Sequence, residues 1–298
     1  MTGLTIGLIA AALTGVQVGS AMVATRALDG ALGPVTLALL RYGVALAVLS
    51  VPFLRSGYGA LPRRDLMAVA ALGVVQFGLL IILLNWGLTR VGAAEGAVLF
   101  GVFPLVALAL AAVLGRERAP PRLWLGMTAT LAGIALVTGA GQGGVVDPSG
   151  AAAVLAAAVC GAAAAVGFGP WLARYPTLRV GTVSMAAAVV ALVPPALAEA
   201  PWTALAALPP RGWLLVAFIG LTSGAGYLVW LTALRHLPAG RAALLLGLSP
   251  VTAAALGTTL LGEAVSPGFW PGLALVLAGV SLALARPGPK LAIGPERR

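Results

Sequence analysis

The sequence predicts an all-α integral membrane protein, ten transmembrane helices arranged as two inverted five-helix repeats. Three observations lead there. Hydrophobic residues fill 60% of the 298 positions and charged residues 9%, with a mean hydropathy of +1.05; soluble domains carry about a quarter charged residues. Apolar runs near 4–25, 34–54, 66–88, 96–115, 122–140, 150–171, 180–200, 212–234, 242–261 and 268–286 each approach the roughly 20 residues a helix needs to cross hydrocarbon, where it alone satisfies its own backbone. Finally, "GVFPLVALALAAVLGRE", Gly101 to Glu117, returns as "GLSPVTAAALGTTLLGE", Gly247 to Glu263, at an offset of 146 residues.

The offset extends along the chain. Gly15 matches Gly161, Thr36 matches Thr182, Trp124 matches Trp270, Gly126 matches Gly272 and Gly133 matches Gly279. All five spans of residues 1–146 thereby map onto those of residues 147–298, which end in a short tail. Five is odd, so the second copy enters the membrane upside down relative to the first, the pattern of secondary transporters that bind substrate between their halves.

The first run lacks a positively charged start, exceeds the apolar length of a signal peptide and is followed directly by further spans, so it reads as the first helix of the mature protein. Within it, Gly15/Gly19 is a small-xxx-small pair for close helix approach, as is Gly220/Gly224 in the eighth run. Basic residues set the orientation. The even-numbered connections and the C-terminal tail hold fourteen (Arg55, Arg63, Arg64, Arg116, Arg118, Arg122, Arg174, Arg179, Arg235, Arg241, Arg286, Lys290, Arg297, Arg298), the odd-numbered connections three (Arg26, Arg90, Arg211). That asymmetry predicts both termini in the cytoplasm. It also accounts for the +10 formal charge, so the basic balance implies no nucleic-acid partner.

Arg41, in the second run, is the one basic residue inside a span, about 10 Å from its outer end. It is read as structural, snorkelling outward to pair with Glu95 or Asp29, with a substrate carboxylate as the alternative partner. Gln17 and Ser20 in the first run, Gln76 and Asn85 in the third, and Ser223, Tyr227 and Trp230 in the eighth are polar or amphipathic groups within hydrocarbon. Each such group is a candidate functional residue. Gln17, Ser20, Gln76, Asn85, Tyr227 and Trp230 are the expected substrate contacts, the amides toward a zwitterionic or neutral polar ligand. Trp86, Trp124, Trp171, Trp213 and Trp270 fall near span ends, as an interfacial belt predicts.

Pro104 and Pro250 lie near mid-depth in the fourth and ninth runs. Each removes a helix hydrogen bond and frees a carbonyl around Phe100 or Leu246, a paired kink or hinge. Glu117 and Glu263 close those runs, where a carboxylate caps or pairs with a neighbouring helix. Cys160, the sole cysteine, excludes an intramolecular disulfide and leaves no metal-type spacing. His236 is expected at a solvated helix end. One histidine, one cysteine and no carboxylate deep within a span leave no catalytic constellation.

Each half resembles the EamA module of the drug/metabolite transporter superfamily. The resemblance rests on the fourth-helix proline followed by a terminal Gly-Glu in "LPAGRAALLLGLSPVTAAALGTTLLGE", on its counterpart "VGAAEGAVLFGVFPLVALALAAVLGRE" with Arg116 interposed, on the Gly-containing fifth helices "LGMTATLAGIAL" and "GLALVLAGVSLAL", and on Arg41 in "LLRYG". The first-helix segment "VGSAMVATRAL" fits too, with Val18 where a Trp-Gly pair is common. The resemblance implies a secondary transporter of small organic metabolites in the bacterial inner membrane, an exporter of amino acids or related solutes working by alternating access without a cofactor or metal. It further implies that helices one to four and six to nine surround the cavity, with the fifth and tenth peripheral. The buried first-helix Glu of the superfamily's small multidrug exporters is absent, which disfavours proton-coupled export of organic cations. A small molecule and membrane lipid are the expected partners; a homodimer, lipid handling and a non-transporting scaffold stay open as alternatives.

Overall fold

A computed structural model describes residues 3–115, 121–138, 146–237 and 245–284 of the chain; Glu117 lies outside the described residues. Every regular element among them is helical. In order they are α1 (Gly3–Arg26), α2 (Pro34–Arg55), α3 (Arg63–Leu88), α4 (Ala93–Val113), α5 (Pro121–Thr138), α6 (Pro148–Leu172), α7 (Thr177–Ala198), a short α8 (Trp202–Ala207), α9 (Pro210–His236), α10 (Leu248–Leu261) and α11 (Phe269–Leu284). Seven are long and apolar enough to cross a membrane, and α5, α10 and α11 are shorter apolar helices. Together they match the ten runs; α8 is the one helix outside them. Large apolar side chains such as Leu54, Val113, Val190 and Leu214 stand on the outer surface, which suits hydrocarbon and not water.

The two repeats interlock. The most extensive helix contacts all cross between them: α1 with α9 and α10, α6 with α3 and α4, α2 with α7 and α9, α3 with α7, α4 with α10, and α5 with α11. Replacing each helix by its partner 146 residues away returns the same set, as a pseudo-twofold axis requires. The matched glycines explain the α5–α11 contact. A Cβ on Gly133 would meet the Gly272 carbonyl at 2.6 Å, and one on Gly279 would meet the Gly126 carbonyl at 2.5 Å, so α5 and α11 touch backbone to backbone. Gly15 and Gly19 similarly let α1 lie on the α10 backbone, and Gly220 and Gly224 let α9 lie on α2. Leu80, Leu84, Leu88, Val154, Ala157 and Met185 fill the space between the halves.

Prolines and inserted residues shape the helices that matter most. In α4 the helix stops at Phe100 and restarts at Phe103, with Gly101 and Val102 in a turn, because Pro104 has no N–H to return to the preceding turn. The Val102 carbonyl there accepts from both Leu105 and Val106 N–H. In α10 the carbonyl of Leu246, which Pro250 cannot serve, instead accepts from Ser249 N–H at 2.9 Å. The end of α10 differs from that of α4. Twelve residues separate Pro250 from Gly262 and eleven separate Pro104 from Gly115, and both glycines take left-handed φ, +67° and +69°. The extra residue is absorbed by a π-turn over Gly257–Leu261.

Carboxylates fasten the helix ends. At one end of the bundle Glu263 accepts from Arg26 Nε at 3.0 Å and from Ala93 N–H at 2.9 Å, while Arg26 also donates to Asp29 at 2.7 Å and to the Thr89 carbonyl at 3.0 Å. Glu199 reaches back from α7 to accept from the N–H groups of Val35 and Thr36 and from the Thr36 hydroxyl. It serves as the cap of α2, whose own preceding residue, Gly33, has no side chain to offer. Asp147 caps α6 through Ser149 and Gly150 N–H and faces Arg90. At the opposite end Tyr175 donates to Asp65 at 2.6 Å, a bond that raises the phenol above its ordinary range, and Arg174 lies 3.8 Å from the same carboxylate.

One expectation about charge needs correcting. Arg41 pairs with neither Glu95 nor Asp29: its Nε donates to Ser223 Oγ at 2.7 Å, across to α9. Asp29 is taken by Arg26. Glu95 does stand at a span end, in the first turn of α4, and is buried there at 6% exposure, its Oε1 3.4 Å from Ser266 N–H. A connection folded over the helix start has covered it.

Candidate functional site

A cavity of about 250 Å³ lies where the two broken helices meet. Phe100, Gly101, Phe103 and Pro104 of α4 form one wall; Leu246, Gly247, Ser249 and Pro250, at the start of α10, form the opposite one. The chain is irregular at these points because of the prolines, and irregular backbone at membrane depth is tolerated where it lines a cavity. Thr14 and Val18 of α1, Gln76 of α3 and Trp230 of α9 contribute further walls. So do Leu273, Val276, Leu277 and Val280 of α11. This last group qualifies the expectation that the tenth span is peripheral: α11 packs chiefly on α5, Val276 included, and the residues beside its glycines also reach the cavity.

The lining is apolar with a few directed polar atoms, and among the described residues none of its side chains is ionised at neutral pH. Gln76 stands on a π-turn, Val74–Leu79, that interrupts α3 and turns its amide inward. Its Oε1 is buried without a hydrogen-bond partner, and so is Ser249 Oγ. A buried acceptor or hydroxyl left unpaired costs on the order of 1–3 kcal/mol, so both atoms are poised for a ligand that supplies a donor. The Thr14 hydroxyl is already committed to the Ala10 carbonyl at 2.8 Å. Trp230 adds a flat apolar surface with an indole N–H.

The cavity thus gathers Gln76, Trp230, Pro104 and Pro250 from the candidates and leaves the rest elsewhere. Gln17 lies against Gly226 of α9. Ser20 donates to the Val16 carbonyl at 2.8 Å within its own helix. Asn85 is 2% exposed and donates to the Pro34 carbonyl at 2.9 Å, tying α3 to the start of α2. Tyr227 turns toward α7, its ring over Gly181 and its hydroxyl 3.4 Å from the Thr177 carbonyl. Ser249 was missed by the sequence reading, although it sits beside Pro250 in the repeated segment. Among the described residues no three His, Cys, Asp or Glu come together to hold a metal.

A bundle of apolar helices, doubled by an internal repeat and enclosing a small cavity at paired helix breaks, defines a membrane transporter. The chain belongs to the EamA-like transporter family, whose model matches it twice, over residues 5–139 and 148–285. It is 33% identical over 272 residues to a Streptantibioticus cattleyicolor protein named "Probable terminal-alkyne amino-acid exporter", covering 91% of this chain and 90% of that one. A shorter stretch of 71 residues is 41% identical to a Pectobacterium atrosepticum protein named "Probable 4-amino-4-deoxy-L-arabinose-phosphoundecaprenol flippase subunit ArnE", covering 24% of this chain and 61% of that one. One solved crystal structure superimposes with a TM-score of 0.61 at 23% identity, covering 94% of this chain and 96% of its own. At that identity the likeness is one of fold.

Proposed function

We propose that this transporter exports small amphipathic organic solutes, amino acids or close relatives, across the bacterial inner membrane by alternating access. The observation that carries the reading is the cavity at the paired breaks, apolar except for the unpartnered Gln76 Oε1 and Ser249 Oγ. At about 250 Å³ it falls just short of the roughly 300–1,000 Å³ of drug-sized sites, which suits a metabolite with a compact apolar body. Gln76 and Ser249 take the polar end, and Trp230 packs against the apolar one. Pro104 and Pro250 mark where α4 and α10 bend as the cavity changes sides. Gln17, on the α1–α9 contact, and Tyr227, on the α7 side of α9, meet the solute as it leaves; Ser20 and Asn85 hold the helices that carry the site. The Lys and Arg distribution supports cytoplasmic termini, so the end fastened by Arg26 and Glu263 faces outward. The named relative from Streptantibioticus supports both the direction and the solute class.

Metabolite profiling of cells and medium, with the native protein compared with a Gln76→Ala, Ser249→Ala variant of equal membrane abundance, tests this reading. Outward accumulation of one amphipathic class with the native protein alone supports it. Equal profiles with both proteins would end it.

A further inference from the structure

A guanidinium held inside a membrane needs a counter-charge, since a lone charge there costs several kcal/mol. Arg41 has none among the described residues. Each described carboxylate is engaged elsewhere, on Arg26, Arg90 or Arg174 or at a helix start. Of the eight acidic residues in the chain, only Glu117 and Glu296 lie outside the described segments.

What Arg41 does touch is neutral. Its Nε donates to Ser223 Oγ, whose own proton goes to the Ile219 carbonyl at 2.7 Å, and its guanidinium lies 5.7 Å from the centre of the Tyr42 ring. The Ser223 contact fixes the plane of the guanidinium, and both terminal nitrogens are left without a partner among the described residues. That pair of N–H donors is the fork that takes a carboxylate in bidentate fashion.

Position relates this fork to the cavity. Ser223 and Trp230 are seven residues apart on α9, hence on one face and about 10 Å apart along it. Trp230 lines the cavity, whose side chains among the described residues carry no charge. A solute with a carboxylate therefore finds its apolar body accommodated at Trp230 and its charge unanswered there. The answering cation stands two turns farther along the same face.

We infer that Arg41, oriented by Ser223, is a carboxylate-binding station between α2 and α9, separate from the apolar cavity and occupied in sequence with it by a small amphipathic acid or zwitterion. The inference rests on the transport reading only for the word "sequence"; the binding site itself does not depend on it. Recognition is by charge and fork geometry, so a neutral amide of the same shape does not bind here.

The test is protection of Arg41 from phenylglyoxal, a small arginine reagent, in native protein in lipid nanodiscs, with the adduct quantified by peptide mass spectrometry. The probes are phenylalanine, 3-phenylpropanoate and leucine against phenylalaninamide and 3-phenylpropanamide. With probe at about ten times its Kd or more, occupancy should slow Arg41 modification about tenfold or more for the acids, and the amides should leave it unchanged. Protection by the zwitterions or by the simple acid alone supports the site and names its class. Equal effects of acids and amides, no protection by any acid, or absence of an Arg41 adduct in the free protein would overturn it. Arg41→Gln in the same nanodiscs, read by the thermal shift that phenylalanine produces, should lose the acid's advantage over its amide, and Arg41→Lys should keep part of it. Protection without any solute export would leave this station standing and remove the transport reading; export without protection would do the reverse.

Discussion

The contact between Arg26 and Glu263 joins the end of α1 to the chain just past α10, and Glu263 also holds the first N–H of α4. Its strength can be estimated. Both side chains are largely shielded, 26% and 18% exposed. The pair therefore lies between exposed ion pairs, worth about 0–1 kcal/mol, and fully buried ones, where removing one partner costs about 3–5 kcal/mol. A double-mutant cycle of Arg26→Gln and Glu263→Gln should give a coupling of roughly 1–2 kcal/mol. Glu263→Ala, which also strips the helix start of its acceptor, should cost about 1 kcal/mol more than Glu263→Gln. The assay is reversible unfolding in mixed micelles, followed by tryptophan fluorescence as the fraction of denaturing detergent rises. Because the pair is shielded, raising sodium chloride from about 0.1 to 1 M should remove only a minor part of the coupling. A coupling under about 0.5 kcal/mol, the scatter of independent sites, would refute the claim that this contact fastens the end of the bundle.

Other consequences can be checked in the same way. Gly133→Ala would put a methyl 2.6 Å from the Gly272 carbonyl and should cost about 1–3 kcal/mol in the same unfolding assay. Gly43→Ala, with nothing within 4 Å of the new Cβ, should be neutral or stabilising by up to about 1 kcal/mol. Pro104→Ala restores a backbone donor to α4 and should leave thermal stability unchanged or raised while slowing solute export, measured as initial efflux rate; unchanged efflux would show the break to be a packing feature. The Asp147 carboxyl is held below its ordinary range, first by the Ser149 hydroxyl and then by the backbone N–H groups of Gly150 and Ser149. A carboxylate with a depressed folded-state pKa contributes fully above its unfolded value, near pH 4, and loses that contribution as pH falls through the folded value. Native protein should accordingly exceed Asp147→Ala in melting temperature by a constant margin from about pH 5 to 8, narrowing only below about pH 4.

Much of the fold was legible because the duplication wrote it twice. The 146-residue offset pairs Gly126 with Gly272 and Gly133 with Gly279, and those glycines meet across the α5–α11 contact. Prolines announced the breaks, and half of the cavity came with them. What escaped the sequence is non-local. Glu199 caps a helix that starts 165 residues earlier in the chain, and no local pattern signals that beyond the missing cap at Gly33. The burial of Glu95 depends on where the segment around Ser266 folds. The π-turn under Gln76 leaves no mark in composition, since it concerns hydrogen-bond register and not residue type. The one at Gly257–Leu261 left a trace in the extra residue between Pro250 and Gly262, visible only once the two copies are aligned on their glutamates.

Alignment of the copies also reveals where they disagree. The residue 146 positions before Glu263 is Glu117, but the residue 146 positions after Arg26 is Leu172. The backbone is a near palindrome; the electrostatics are not. A machine that alternates by exchanging the conformations of its two halves would, if the halves were identical, spend equal time facing each side. Here one terminus of the bundle owns a cation that its mirror position lacks, so under the proposed alternating access the two orientations should differ in energy. Arg26 against Leu172 is one such difference; Asp65 against Arg211 and Glu95 against Arg241 are others.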